Sequence, residues 1–324
     1  MTSHKNQNLK QPSSKNIRAL SAIWPFLKNY IGLMSLALTV LVLTASISLV
    51  LPLAVRKVID EFGDEWKKFN HLELDQEKLK ESFDQYFSIF PWHLISEDAV
   101  GFDMGCGSGR WAQFIAPRVK VLNCIEPSDA IEVAKENLSN EDNVSFYKET
   151  TESCSLINGT QDFGYSLGVL HHIPNTQEAL LDCSRLLKSG APFLLYLYYN
   201  FDNKPLWYKA IWKISDVVRR FISISPKPIK NVLCSLIALF VYMPLSRSAY
   251  FLEKAGLNVE NFPLSDYRNK PFYLSKNDAL DRFGTRLEQR FSKAEITEML
   301  YKAGIQDIEF SPGTPYWCCV GIKK

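Results

Sequence analysis

The stretch Ala99-Val100-Gly101-Phe102-Asp103-Met104-Gly105-Cys106-Gly107-Ser108-Gly109-Arg110-Trp111-Ala112-Gln113-Phe114-Ile115 decides how the rest of the chain is read. A short apolar run meets three glycines at alternate positions, and a segment with helical patterning follows. That is a strand turning through a glycine loop into a helix. Glycine lets the backbone turn where a Cβ would clash, and it lets a ligand come close to the main chain. The first N–H groups of the helix have no partner within it and face the same ligand. A second strand, Val121-Leu122-Asn123-Cys124-Ile125, ends in Glu126, 21 residues beyond Gly105. In a βαβ unit such an acid stands at the tip of the neighbouring strand, where it can accept hydrogen bonds from both hydroxyls of a ribose. A nicotinamide fingerprint would need its last glycine where Arg110 stands, so the loop reads differently.

The alternation continues downstream. Gln161-Asp162-Phe163-Gly164-Tyr165-Ser166-Leu167-Gly168-Val169-Leu170-His171-His172-Ile173-Pro174 reads as a strand and its following loop. Asn175 with Glu178 caps the next helix, which stops at Lys188-Ser189-Gly190. A further strand spans 192–199. Near the end, Ser292 and Glu295 cap a helix that closes at Gly304, and strands over 305–310 and 316–322 flank Pro312-Gly313. Strands alternating with helices and closing on an antiparallel pair imply a doubly wound, mainly parallel sheet.

These motifs resemble the class I S-adenosylmethionine-dependent methyltransferases, above all the type 11 group that includes the ubiquinone and menaquinone enzymes. The resemblance covers roughly 93–200 and 290–324. The family turn Lys-Pro-Gly-Gly is here Lys188-Ser189-Gly190-Ala191, a change confined to a turn. The resemblance implies a Rossmann-like, seven-stranded methyltransferase sheet and S-adenosylmethionine as cofactor, with no metal. It places Asp103 near the methionine moiety, and adds Gly105, Cys106, Gly107, Ser108, Gly109, Glu126, Pro127, Gly168 and Val169 to the cofactor site. His171 and His172 follow the fourth strand at the edge that faces the cofactor. Either is a candidate general base, since histidine titrates near neutrality, or a packing residue of the loop. Tyr198 and Tyr199 at the tip of the fifth strand line the acceptor pocket or are ordinary strand aromatics, with Asn200 and Asp202 as alternatives.

Composition sets limits on function. The chain has 324 residues, 46% hydrophobic and 22% charged, with a formal charge of +2. That balance gives no basis for bulk nucleic-acid binding. Gly168-Val169-Leu170-His171 stands where a base-modifying enzyme would carry a [DN]-P-P-[FYW] tetrad. Seven cysteines without a CxxC pair argue against a disulfide scaffold and a zinc site. Cys318 and Cys319 read as packed strand residues.

The N-terminal part has another character. Residues 1–19 are polar and basic and read as a disordered tail. No charge occurs from Asn29 to Val55, a run longer than the roughly 20 residues a bilayer crossing needs. Residues 20–62 are therefore expected to form a transmembrane helix. Trp24-Pro25-Phe26-Leu27, the apolar run and Leu51-Pro52-Leu53-Ala54-Val55-Arg56-Lys57-Val58-Ile59-Asp60 together resemble the first transmembrane helix of ATP-binding-cassette exporters. No GxxxxGK[ST] loop follows, so transport is excluded. The segment reads as a transporter fragment joined near 60–63, or as an anchor. Lys5, Lys10, Lys15, Arg18 and Lys28 before the run oppose Arg56, Lys57, Lys67 and Lys68 after it, which leaves orientation open. The expected location is a membrane with the catalytic domain facing the cytoplasm, or the cytoplasm if residues 1–60 are foreign.

Residues 63–92 are expected to be helical, 93–200 the methyltransferase core, 201–289 a helical lid over the sheet's C-terminal edge, and 290–324 the core's last helix and strand pair. Between Lys204 and Lys230 lie seven basic residues and one acid, Asp216, interleaved with apolar ones. This pattern suits a helical subdomain packed on the core, or a lid docking on a membrane. Residues 231–243 are apolar but too short to span. The charged run 278–290 reads as a solvated loop, or as one bringing Arg282 or Arg286 to the acceptor. The expected function is methyl transfer to a small-molecule or lipid-like acceptor, the alternative a catalytically silent, tethered cofactor-binding module.

Overall fold

The computed structural model describes residues 76–324 except 260, 270 and 271, together with Gly32, Ser35 and 38–41. The chain divides into two compact units, Met1–Ala54 and Val55–Lys324. In the first unit the six described residues are helical and lie open to solvent. The rest of the expected tail and transmembrane helix, with the exporter-like flanks, falls outside the described residues.

In the second unit, strands β1 (Val100–Met104), β2 (Val121–Ile125), β3 (Val144–Tyr147), β4 (Phe163–Leu167), β5 (Pro192–Tyr196), β6 (Ile305–Phe310) and β7 (Cys319–Lys323) make one sheet in the order β3-β2-β1-β4-β5-β7-β6. The first five are parallel; β7 runs antiparallel to β5, and β6 to β7. Strand order reverses between β1 and β4, so their C-terminal ends open a crevice. Helices α1 (Gln76–Tyr86), α2 (Ala112–Ile115), α3 (Ala130–Asn137), α4 (Thr176–Leu186) and α9 (Lys293–Lys302) flank the sheet. Alternation along each strand feeds two apolar layers. Phe102, Met104, Phe193 and Leu195 enter one with α4 and α9; Leu122, Cys124, Tyr165 and Leu194 enter the other with α1 and α2. Both faces are buried, as a parallel sheet requires.

At the centre, Gly101 pairs with Phe163 and Phe102 with Gly164. A Cβ built on Gly101 would overlap the Phe163 ring, and one built on Gly164 would overlap the Phe102 ring. Each strand gives up a side chain so that its neighbour's phenyl can lie across it. Caps close the helices as their sequences imply. The Asn175 side chain accepts from the Glu178 N–H at 3.2 Å, and Ser292 with Glu295 forms a reciprocal capping box.

Between β5 and α9 the insert contains α5 (Leu206–Ser223), α6 (Lys227–Ile237), α7 (Met243–Lys254) and α8 (Phe272–Gly284). The apolar run over 231–243 is not a short piece by itself. Residues 238–242 form a wide π turn that joins α6 to α7, and Lys227–Lys254 is one 28-residue helix, long and apolar enough to cross a membrane. The wide turn sits just before Pro244, whose ring and missing N–H disrupt regular bonding one turn back. Ile222, Cys234, Ala238, Tyr242, Ala279 and Phe283 form the insert's own small core. The expected solvated run 278–290 is corrected too, since residues 278–284 belong to α8.

Gly101→Ala and Gly164→Ala should each lower stability by about 1–3 kcal/mol through overpacking, measured by urea denaturation. Ser189→Ala, at an exposed turn, should stay within about 0.5 kcal/mol of wild type.

Candidate active site

The glycine loop leaves β1 at the centre of the crevice. Gly105, Gly107 and Gly109 all have positive φ, at 81°, 55° and 79°. Gly105 also lies against Val169 in the loop after β4, where an added Cβ would come 2.5 Å from the valine methyls. The helix that follows is a single turn, Ala112–Ile115, continued by the 3₁₀ turn Ala116–Arg118. The loop's N–H groups are largely used within the fold: Gly105 and Cys106 donate to the Ile125 carbonyl and Gly109 to that of Cys106.

Glu126 meets this loop. Its Oε2 accepts from the Gly107 N–H at 3.1 Å, and its Oε1 accepts from the Ser128 N–H at 2.9 Å. Two residues 19 apart in sequence are thus brought to one edge by parallel β1–β2 pairing. Pro127 follows, half-buried at the same edge, and Gly168 with φ 78° turns the chain after β4. Asp103 is buried on β1, 1% exposed. Burial, with the charge of Glu126 adding to it, pushes its carboxyl up to about 8. Asp103 Oδ2 and Ser108 Oγ are buried without hydrogen-bond partners among the described residues. Cys106 is buried, with its thiol pushed up by Cys124 beside it and by burial. Positive-φ turns crowded against Val169, unpartnered polar atoms and a carboxylate at the loop fit a cofactor that offers cations and hydroxyls.

A second group gathers at the same edge. The 3₁₀ turn Leu170–His172 follows β4. His171 is fully buried, its two ring nitrogens lack partners among the described residues, and its ring stacks on Tyr198 with centroids 3.8 Å apart. Burial, reinforced by His172 and Arg290, holds its pKa well below 6.5, so it is a neutral aromatic shelf. His172 Nδ1 lies 2.8 Å from the Leu287 carbonyl. That contact assigns the proton to Nδ1 and the basic lone pair to Nε2. Tyr198 donates its hydroxyl to Asp281 at 2.5 Å. Burial drives the Asp281 carboxyl up while nearby His172 opposes the shift. The Arg290 guanidinium lies over the rings of Tyr198, Phe201 and Trp212, and its Nε donates to Glu288 at 2.7 Å. Glu288 is 2% exposed.

His171, His172 and Tyr198 therefore meet, but Tyr199 does not join them. Its ring turns toward Phe201, Tyr316 and Trp317, because adjacent residues of an extended chain face opposite ways. Asp202 accepts from the Trp317 indole at 2.8 Å, and Asn200 accepts from the Asp202 N–H, so both hold the loop. From the charged run, Asp281, Glu288 and Arg290 reach the cluster. Arg282 instead ties to Ser215 of α5, and Arg286 is exposed. Sequence reasoning passed over those three. For Asp281 the usable signal was helical spacing, since Asp278, Asp281 and Arg282 occupy one face of α8; Glu288 and Arg290, beyond that helix, gave none. Among the described residues no group of His, Cys, Asp and Glu converges to hold a metal. All seven cysteines are free and buried.

Residues 102–195 match the family model described as a methyltransferase domain. The ubiquinone biosynthesis O-methyltransferase of Nitrosomonas europaea is 33% identical over 120 residues, covering 36% of this chain and 50% of that protein. The protein of the same name from Saccharophagus degradans is 32% identical over 91 residues, covering 27% and 39%. A SAM-dependent methyltransferase from Aquifex aeolicus is similar at 13% identity and TM-score 0.40, covering 77% of this chain and 97% of that one. The chain thus spans half or less of the curated relatives it matches. It carries a class I methyltransferase domain of the S-adenosylmethionine-dependent kind, and S-adenosylmethionine is its cofactor.

The raised Asp103 carboxyl has a measurable consequence. The folded chain holds a proton that the unfolded chain releases above its ordinary value of 3.8, so this group makes stability fall as pH rises from about 4 to about 8. Asp103→Asn should remove that component, by at most about 1.4 kcal/mol per pH unit. Urea midpoints of both proteins at pH 5, 6, 7 and 8 check it; parallel profiles would mean that Asp103 is ionised in the fold.

Proposed function

We propose that this protein transfers a methyl group from S-adenosylmethionine to a small or amphiphilic acceptor held between the glycine loop and the insert. One observation carries the reading: the Glu126 carboxylate on the Gly107 N–H stands at the same sheet edge as the His171, His172, Tyr198 and Asp281 cluster. When bound, S-adenosylmethionine supplies an electrophilic methyl group on a sulfonium, so the protein's work is alignment and exclusion of water. Glu126 would hold the ribose hydroxyls, Asp103 and Ser108 the polar end, and Gly168 and Val169 would complete the wall. His171, kept neutral by burial, and Tyr198 form an aromatic floor for the acceptor. His172 Nε2 takes the proton of an acceptor hydroxyl, while the Leu287 carbonyl fixes its ring. Asp281 lies close enough to stabilise the imidazolium that results.

The acceptor class proposed first is phenolic quinone precursors, because the curated relatives are named for ubiquinone biosynthesis. The same proposal places the protein at a membrane, held by the uncharged run 29–55, with the catalytic domain on the cytoplasmic side. Support for that part is the length of the run alone.

Calorimetry of S-adenosylmethionine binding to the full chain should give an affinity that Glu126→Ala weakens about tenfold or more, equivalent to about 1.4 kcal/mol, while NADH gives no heat. A folded chain that does not bind would move the silent, tethered module to the front. With an acceptor found by S-adenosylhomocysteine release, His172→Asn should lower kcat by about 10²–10⁴ with little change in cofactor affinity. An unchanged kcat removes His172 as the base and leaves it a packing residue.

A further inference from the structure

The insert shows a large apolar surface that the methyl-transfer reading does not use. Along α5, Trp207, Ile211, Ile214, Val218 and Phe221 recur at intervals of four and three and are all exposed, Ile214 by 67% and Phe221 by 70%. Along the next helix, Ile229, Val232, Leu236 and Leu239 repeat the pattern, with Phe240 69% exposed. Such a stripe ordinarily faces a core. Here the inward sides of both helices are already taken. Ile222, Cys234, Ala238 and Tyr242 pack with α8, and Arg219 donates to the Thr285 carbonyl at 3.0 Å. The two stripes look away from that common support. Exposed apolar side chains in such number, at helical spacing on two helices, mark a surface made to be covered.

Charge identifies the cover. Residues 206–252 contain seven basic residues and a single acid, Asp216. Both oxygens of Asp216 are occupied by Arg219 and Arg220, at 2.7 and 3.0 Å. Lys213, Arg220, Lys227 and Arg247 are exposed, and the one exposed acid on these two helices, Glu253, stands at the far end of the second and is tied to Arg268. Anionic headgroups above acyl chains complement both features at once. Crossing the bilayer is ruled out by the support. Lys227–Lys254 could span only by carrying α8, with Asp278, Asp281 and Arg282, into hydrocarbon.

We infer that α5 and the Lys227–Lys254 helix form a one-sided docking surface for an anionic phospholipid bilayer, lying in its interface without crossing. The inference does not rest on methyl transfer, since none of its residues belongs to the cofactor loop or the histidine cluster. Because the insert leaves β5 at the same edge as the glycine loop, docking would bring that edge toward the lipid.

The native cysteines are all buried, so one introduced thiol can be labelled selectively. The full chain is prepared as Ile214→Cys, as Phe240→Cys and, for reference, as Ser189→Cys in the remote turn before β5, each carrying an environment-sensitive dye. Each is mixed with phosphatidylcholine vesicles, and with vesicles containing phosphatidylglycerol as well. Docking predicts a blue shift and an about threefold brightening at 214 and 240 with the anionic vesicles, little with the zwitterionic ones, and none at 189. High salt should reverse it in part, and adding Lys213→Glu with Arg220→Glu should weaken it about tenfold. The local reporters separate this surface from any attachment through residues 29–55. An unshifted dye at 214 and 240, or an equal shift with both vesicle types, overturns the inference. So does a dye already shifted before vesicles are added, which would mean that protein covers the face. Melting curves matching wild type confirm that the labelled variants are folded.

Discussion

Everything in the core depends on how closely β1 and β4 approach. Gly101 and Gly164 each leave space for a phenyl ring on the partner strand, and the two rings go to opposite faces of the sheet. The same pair of strands therefore nails down both apolar layers and sets the register of their C-terminal ends. From that register follow the loops: Gly105 emerges beside Val169, and the histidine turn lies one strand away from the glycine loop. The ligand crevice is a consequence of a packing constraint set within the two central strands, next to Asp103 and short of the loops.

The second organising feature is the buried ion cluster that joins insert to core. Arg290 sits among three rings and is held by Glu288, Tyr198 donates to Asp281 on α8, and Gln289 donates to the carbonyls of His171 and Ile173. An ion enclosed in this way needs all of its partners, because an unpaired buried charge is far costlier than a pair is stabilising. The insert is thus bonded to the histidine turn and has no freedom to drift from it while folded. The acceptor side of the site is built jointly by both parts.

What could be read from the sequence was what is encoded within a few residues. The glycine loop, β2 with Glu126, the Asn175 and Ser292 caps and the antiparallel close depend on local spacing and turn chemistry, and they stand where the pattern put them. Val144–Tyr147 gave little warning of β3, being four half-buried residues at the sheet edge. Tyr198 and Tyr199 could not be told apart without knowing which way the chain faces after β5. Asp281, Glu288 and Arg290 looked like solvated charges, because only tertiary contact with Tyr198 and the rings of Phe201 and Trp212 takes them out of water. The apolar run over 231–243 looked too short to span because it reads as ending at Met243. The wide turn absorbs Pro244 and lets the helix continue to Lys254.

That π turn also sets a phase. One residue more than an α turn requires advances everything beyond it by about 100° around the helix axis. Cys234 of α6 meets α8 before the turn, Ala238 and Tyr242 of the turn join the same small core, and the outward face of α7, with Phe251, lies after it. Deleting or adding a single residue beyond Tyr242 would rotate the rest of α7 as a dial turns, leaving Cys234, Ala238 and Tyr242 in place while presenting a different set of side chains. Related inserts could in this way be retuned to different surroundings by length alone.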